Sequence, residues 1–521
     1  MQFETIGQFT EHWAAATPWR VALVHGDERT GYEALHGQVL RCVAALRAAG
    51  IGPGDRVGHM GLNHPDYVVL MQACARVGAV LAPINWRLVA TEVAWILNDA
   101  GIRLLLADRA FQPIVEAASG EAGIERILFT DSGTAAQPDF RRWIASHEPD
   151  PLMAPADPDD VVLQLYTSGT TGFPKGALLT HRSLLGTIEK GALTGEAWSG
   201  WDEEDVCLVA MPLFHIGGTG WALHALEAGA TAVILAKPDI DLIIDTIEAE
   251  RVTKAFAVPA VLNMIINHPR AKAADLSSMT ELLYGASPIP LEVLKGAMAA
   301  FRNASFIQCY GATETSGTVV YLPPADHDVD GNERMRGCGR PFPGNAVRIV
   351  DAAGKEVPRR EVGEIAVRSV SVMKGYHNNP AATEKAIQGG WYLTGDAGWM
   401  DEDGYLYIHD RVKDMIVSGA ENIYPAEVEN ALAAHPAVRD SAVIGVPDAT
   451  WGEAVKAIVV LKDGASASPE ELIAHCRKHI AGYKCPKSVD FVAELPRNPS
   501  GKILKKELRK PWWEGRERQV A

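Results

Sequence analysis

The sequence predicts an α/β protein with a large N-terminal domain and a small C-terminal one, on three observations. The chain has 521 residues, more than one ordinary hydrophobic core accommodates. From about residue 30 to 320, short apolar runs alternate with longer amphipathic stretches, the pattern of parallel-rich sheets with flanking helices. Beyond about 335 the texture turns β-rich, and beyond Asp414 it changes again to an α+β order.

In the first region, the runs 161–165, 206–211, 230–235, 254–258, 281–284 and 305–310 have strand length and composition. Segments 241–250, 260–266 and 291–301 read as helices between them, and Pro259 suits a first helical turn. Next, 347–350, 364–368 and 405–408 read as short strands, with Asp401-Glu402-Asp403-Gly404 as a turn before the last. The final region gives a helix at 426–434, strands at 441–446 and 455–461, a helix at 469–480 and a strand at 489–492. Roughly a hundred residues in that order can fold alone. The expected division is 1–412 for the large domain, with a β-rich subdomain at about 335–412, and 413–521 for the small one.

Composition narrows the function classes. Hydrophobic residues make up 47% and charged residues 22%, as in globular proteins. The net charge of -16 argues against broad nucleic-acid binding, which needs basic surface to displace counterions. Seven cysteines lie scattered with no CxxC, which disfavours a disulfide framework or zinc site and suits reduced thiols in the cytoplasm. The opening residues lack the basic-then-apolar order of a secretory leader. Segment 206–226 carries no Lys, Arg, Asp or Glu and by length could span a bilayer. Pro212, Gly217, Gly218 and Gly220 interrupt it, and His215 and His224 lie inside it. It therefore reads as a buried strand, a glycine-rich loop and a buried helix. Peripheral membrane contact and homo-oligomerisation stay open, and the thirteen tryptophans are expected to pack.

The chemistry begins at Tyr166–Gly176, directly after a predicted strand. Four hydroxyls (Thr167, Ser168, Thr170, Thr171), three glycines (Gly169, Gly172, Gly176) and Lys175 fall within eleven residues. Glycines let amide N–H groups converge on phosphate oxygens, and hydroxyls and the lysine add donors and charge. A surface loop of turn residues has the same composition. The nucleotide-binding P-loop is excluded, because Gly176 follows Lys175 where that motif needs Ser or Thr.

Four further motifs follow: Tyr310-Gly311-Ala312-Thr313-Glu314-Thr315, Trp391 to Asp396, Asp410-Arg411-Val412-Lys413-Asp414, and Asn498 to Lys502. With the loop, these elements resemble in order and spacing the adenylate-forming superfamily of acyl-CoA synthetases, peptide-synthetase adenylation domains and luciferases. The resemblance covers nearly the whole chain, and the texture is most similar to fatty acyl-CoA synthetases.

The resemblance implies ATP-dependent activation of a carboxylic acid to an acyl-adenylate, then transfer to coenzyme A. It implies that Thr167–Lys175 cradle phosphates, Glu314 binds Mg2+, and Thr313 lies near the α-phosphate. Tyr310, with Gly311 beside it, would stack on adenine; Gly285, Ala286 and Ser287 would read its edge; Asp396 and Arg411 would hold the ribose. Lys502 would contact the reacting centre only during adenylation. The small, mobile C-terminal domain would rotate about Lys413 and bring Gly419 and Ala420 to the thiol tunnel, where many relatives carry two glycines. Met211 to Gly218 matches a motif at the acyl site, with His215 as a gate and Trp221 and Tyr284 as lining. A fatty, branched or aryl acid is expected. A ligase loading a carrier protein, luciferase-like oxidation and a non-catalytic nucleotide-binding regulator are the alternatives.

Overall fold

The structure is a computed structural model that describes residues 3–120, 123–130, 139–167, 174–196, 199–287, 289–411, 414–418, 421–448, 451–480, 482–497 and 503–514. Its backbone is mixed α/β, as the sequence predicts. Two large sheets dominate. In the nine-stranded one, Glu281–Gly285 is flanked by Lys254–Ala257 and Ser305–Ala312, all parallel. In the seven-stranded one, Arg56–Met60 lies between Val80–Pro83 and Ile102–Ala107, again parallel.

Both sheets break their parallel order toward an edge, the nine-stranded one also at its far edge, where Val21–His25 pairs antiparallel with Glu28–Gly31. Val161–Thr167 turns back antiparallel into Lys175–Thr180, and Ser305–Ala312 into Gly317–Leu322. These two returns place loops at the carboxyl ends of the strands, where ligands bind in open α/β sheets.

The helix Pro65–Val77 is buried at every one of its 13 residues, Asp66, Gln72 and Arg76 included. It packs in a core with Leu81 and Leu163 of one sheet and Cys207 and Val209 of the other. The uncharged segment resolves into the strand Val206–Val209 and the helix Ile216–Ala228. Among the described residues, no helix is long and apolar enough to cross a membrane. All seven cysteines are buried, and no disulfide joins them.

Pro259 opens the helix Pro259–Asn267, as expected. The turn at Asp401 forms too: Tyr405 N–H donates to Asp401 Oδ1 at 2.7 Å, and Gly404 has φ 83°. The β-rich region forms a five-stranded sheet in which Ala346–Val350, Gly363–Arg368, Trp391–Met400 and Leu406–Arg411 are neighbours in turn. The final region builds its own sheet and core around Ile416, Val428, Leu432, Val443, Val459 and Leu472. Residues Lys505–Trp513 form a helix whose Arg509 and Lys505 pair with Asp414 (2.7 Å) and Glu429 (3.0 Å).

Candidate active site

Both antiparallel returns open into one cleft of about 3310 Å³. That exceeds the ~300–1,000 Å³ of a single small-molecule pocket, so there is room for more than one reactant. Thr167, Lys175, His215, Trp221, Ala286, Ser287, Tyr310, Gly311, Thr313, Glu314 and Asp396 all line it.

Glu314 stands in the tight turn Thr313–Thr315 after the strand Ser305–Ala312. The turn closes because Thr315 Oγ1 accepts from Ala312 N–H at 2.9 Å and donates to the Gly317 carbonyl at 2.7 Å. Ser316 then takes a left-handed conformation, φ 52°. Gly311 keeps the hairpin tight, since a Cβ there would lie 1.9 Å from the Gly317 carbonyl oxygen.

Two hydroxyls hold the Glu314 side chain. Thr167 Oγ1 donates to Oε1 at 3.1 Å and Tyr376 Oη donates to the same oxygen at 2.9 Å. No hydrogen bond to Oε2 is found among the described residues. A carboxylate beside hydroxyl oxygens is a hard-oxygen donor set, the kind that suits Mg2+.

No sequence motif singles out Tyr376. It reaches the site because Gly375–Tyr376 adds to the edge of Lys175–Thr180, with Tyr376 opposite Ala177. Met373 N–H also donates to the Glu314 carbonyl at 2.8 Å. Lys175 Nζ sits 4.6 Å from the centre of the Tyr376 ring, and Thr167 and Lys175 are paired across the hairpin. Burial and the adjacent Glu314 push the Tyr376 phenol well above its usual range, so it stays a donor.

Tyr310 Oη donates to Asp396 Oδ2 at 2.8 Å. Burial, then Asp396, raises the tyrosine far above the ordinary phenol value. Asp396 lies opposite Arg411 in the backbone register of the neighbouring strand. Ala286 takes φ 64°, a left-handed conformation costly for a residue with a Cβ, at the point where the chain leaves Glu281–Gly285 and enters the cleft. Gly285 packs against the next strand, where a Cβ would lie 2.0 Å from the Cys309 carbonyl oxygen.

Elsewhere along the cleft, His215 stands at the N-cap position of the helix Ile216–Ala228, and no hydrogen bond to its buried Nε2 is found among the described residues. Burial, then Arg87, pulls its pKa down to about 4, so the ring is neutral near pH 7. Trp221 donates its indole N–H to the Leu208 carbonyl at 3.1 Å and packs edge-on to Trp201 at 4.8 Å.

Tyr284 requires a correction. It is fully buried among Leu282, Leu294 and Phe306, on the side of the sheet away from the cleft. Its hydroxyl bonds His327 Nε2 at 2.9 Å. Side chains alternate across a strand, so Leu283 lines the cleft in its place, with Phe256. Ser168, Gly169, Thr170, Thr171, Gly172, Lys413, Gly419, Ala420 and Lys502 lie outside the described residues.

Comparison with known proteins adds to this geometry. A family model described as AMP-binding enzyme matches residues 10–377, and one described as AMP-binding enzyme C-terminal domain matches 427–502. The chain is 41% identical to the fatty acid–[acyl-carrier-protein] ligase ScoC of Streptomyces coeruleorubidus, covering 100% of this chain and 98% of that one. It is 40% identical to a feruloyl-CoA synthase of an Amycolatopsis species, over 98% and 99% of the two chains. The crystal structure of the anthranilate CoA ligase AuaEII in complex with anthranoyl-AMP superposes with TM-score 0.90 at 27% identity, covering 98% of this chain and 97% of that one.

Proposed function

Because the chain belongs to the AMP-binding enzyme family and is an AMP-forming acid–thiol ligase, we propose that it activates an apolar carboxylic acid with ATP and transfers the acyl group to coenzyme A. The observation that carries this is the Glu314 carboxylate, held by Thr167 and Tyr376 in the same cleft as the Tyr310–Asp396 pair and His215.

In the first step a carboxylate oxygen bonds to the α-phosphorus and pyrophosphate leaves. Both reactants are anions, so the site must neutralise charge and hold an in-line approach. We assign Tyr310 to the adenine face, Ala286 and Ser287 to its edge, and Asp396 with Arg411 to the ribose. Thr167 and Lys175 bracket the phosphate loop, and Thr313 stands beside Glu314 for the α-phosphate. Mg2+ would be held by Glu314, and bound there it supplies positive charge to the phosphate oxygens. Lys502 is assigned to the charge that develops during adenylation. In the second step the thiol sulfur attacks the acyl carbon and AMP leaves, after the 413–521 domain turns about Lys413 and brings Gly419 and Ala420 to the tunnel.

Trp221, Phe256 and Leu283 line the acyl side, which favours a fatty, branched or aryl acid. Acid-dependent exchange of labelled pyrophosphate into ATP, run across a panel of such acids, tests the first step. Exchange independent of every acid refutes it. A second reading, transfer to a carrier protein, is supported by the likeness to ScoC over the whole chain. Offering the acyl-adenylate to coenzyme A and to a phosphopantetheinylated carrier protein in parallel separates the two.

A further inference from the structure

The acyl wall changes character along its length. His215, Gly217, Gly220, Trp221 and His224 lie at helical spacing along Ile216–Ala228 and its cap, and all line the cleft. His224 lies nine positions beyond His215, roughly 13 Å further on at 1.5 Å per residue. Between them the lining is apolar; at His224 it is not.

The His224 ring lies 5.5 Å from Trp201 and 6.1 Å from Trp221, and no hydrogen bond to it is found among the described residues. Burial, then Lys254 and Lys190, pulls its pKa down to about 4, so one ring nitrogen remains a donor. The two lysines differ. Lys254 is matched by Glu281 at 2.9 Å, Asp205 at 3.7 Å and the Gly200 carbonyl at 3.0 Å.

Lys190 is only 3% exposed. Its Nζ donates to the Thr318 carbonyl at 3.3 Å, and no carboxylate pairs with it among the described residues. Its neighbours Thr187, Ile188, Gly191 and Thr318 line the cleft. A lysine amine carries more donors than that one bond uses, and leaving buried donors unmatched is costly.

Resting on the adenylation reading above, we propose that this end of the acyl site binds an oxygen acceptor at the far end of the substrate acid, a carboxylate or carbonyl, through Lys190 and His224. The substrate is then an acid with an apolar middle and oxygen at both ends. A plain alkyl terminus leaves both donors unmatched.

The test compares acids of about six to twelve carbons, bracketing the ~13 Å span. Each α,ω-dicarboxylic or ω-oxo acid is set against the straight-chain acid of equal length, and kcat/KM for pyrophosphate release is measured. At the best length the oxygenated acid is favoured at least about tenfold, which corresponds to one matched buried donor. In Lys190→Met that preference falls to within about threefold, the tenfold being lost with the donor. His224→Phe, which keeps an aromatic ring against Trp201 and Trp221, lowers it too and carries the test if Lys190→Met loses its melting transition. Alkyl acids favoured at every length, or equal losses on both acids in the variants, overturn the inference and leave adenylation standing. Pyrophosphate release with none of the acids overturns both.

Discussion

Replacing Tyr376 with phenylalanine removes one hydroxyl and keeps the ring. The lost group donates to Glu314 Oε1 at 2.9 Å, and Thr167 at 3.1 Å is the other donor to that oxygen. A hydrogen bond to a charged group is worth about 1.5–3 kcal/mol, and about 1.4 kcal/mol is a factor of ten in rate. The expected result is a roughly 10- to 100-fold fall in kcat/KM for MgATP in acid-dependent pyrophosphate exchange. The ring still faces Lys175 Nζ at 4.6 Å, so Tyr376→Leu should be worse by a further ~2- to 30-fold, the range of a cation–π contact. Melting curves of both proteins control for folding. A change below about twofold in Tyr376→Phe, in a protein that melts like the wild type, refutes the view that this hydroxyl orients the carboxylate.

Further expectations follow from other parts of the site. Lys502→Ala should lose acyl-adenylate formation by roughly 10²–10³, the scale of a transition-state donor, yet still consume preformed acyl-adenylate; unchanged pyrophosphate release removes the assignment. Tyr284→Phe should leave acid preference unaltered and lower stability by ~1 kcal/mol through its His327 contact, whereas Leu283→Trp should cut activity on bulky acids; the reverse pattern returns Tyr284 to the pocket wall. His181, His215, His224 and His327 are each drawn down to about 4 by burial. The unfolded chain binds their protons from 6.5 downward, so between 4 and 6.5 stability rises with pH. The melting temperature should thus fall as pH drops below 6.5, less steeply in His327→Asn, and an identical slope in that variant discounts its share.

The legible features are those with a local cause. The strand patterns at 161–165 and 206–211, Pro259 at a helix start and the Asp401 turn each follow from a few neighbouring side chains, and each is present, the strands as Val161–Thr167 and Val206–Val209. The site motifs were legible as motifs because backbone turns need particular residues, as at Gly311. What stayed hidden depends on distance along the chain. Tyr376 meets Glu314 across 62 residues, and nothing in Gly375-Tyr376 announces a strand edge. Lys190 meets the Thr318 carbonyl across 128 residues, a contact that no local pattern announces. Tyr284 differs, because the period of two was available and places Leu283, not Tyr284, on the cleft side. The helix Lys505–Trp513 hid behind Pro511, which reads as a helix breaker.

The Glu314 turn also joins two bodies. Thr167 and Tyr376 belong to the seven-stranded sheet and Glu314 to the loop of the nine-stranded one, so the carboxylate is seated only when the sheets are docked. A nucleotide that binds the docked form alone therefore acts as a clasp across that seam. At a hundredfold excess over Kd it adds about 2.7 kcal/mol to the closed state. Saturation with ATP should slow hydrogen exchange not only at the phosphate loop but along both antiparallel returns, Lys175–Thr180 and Gly317–Leu322.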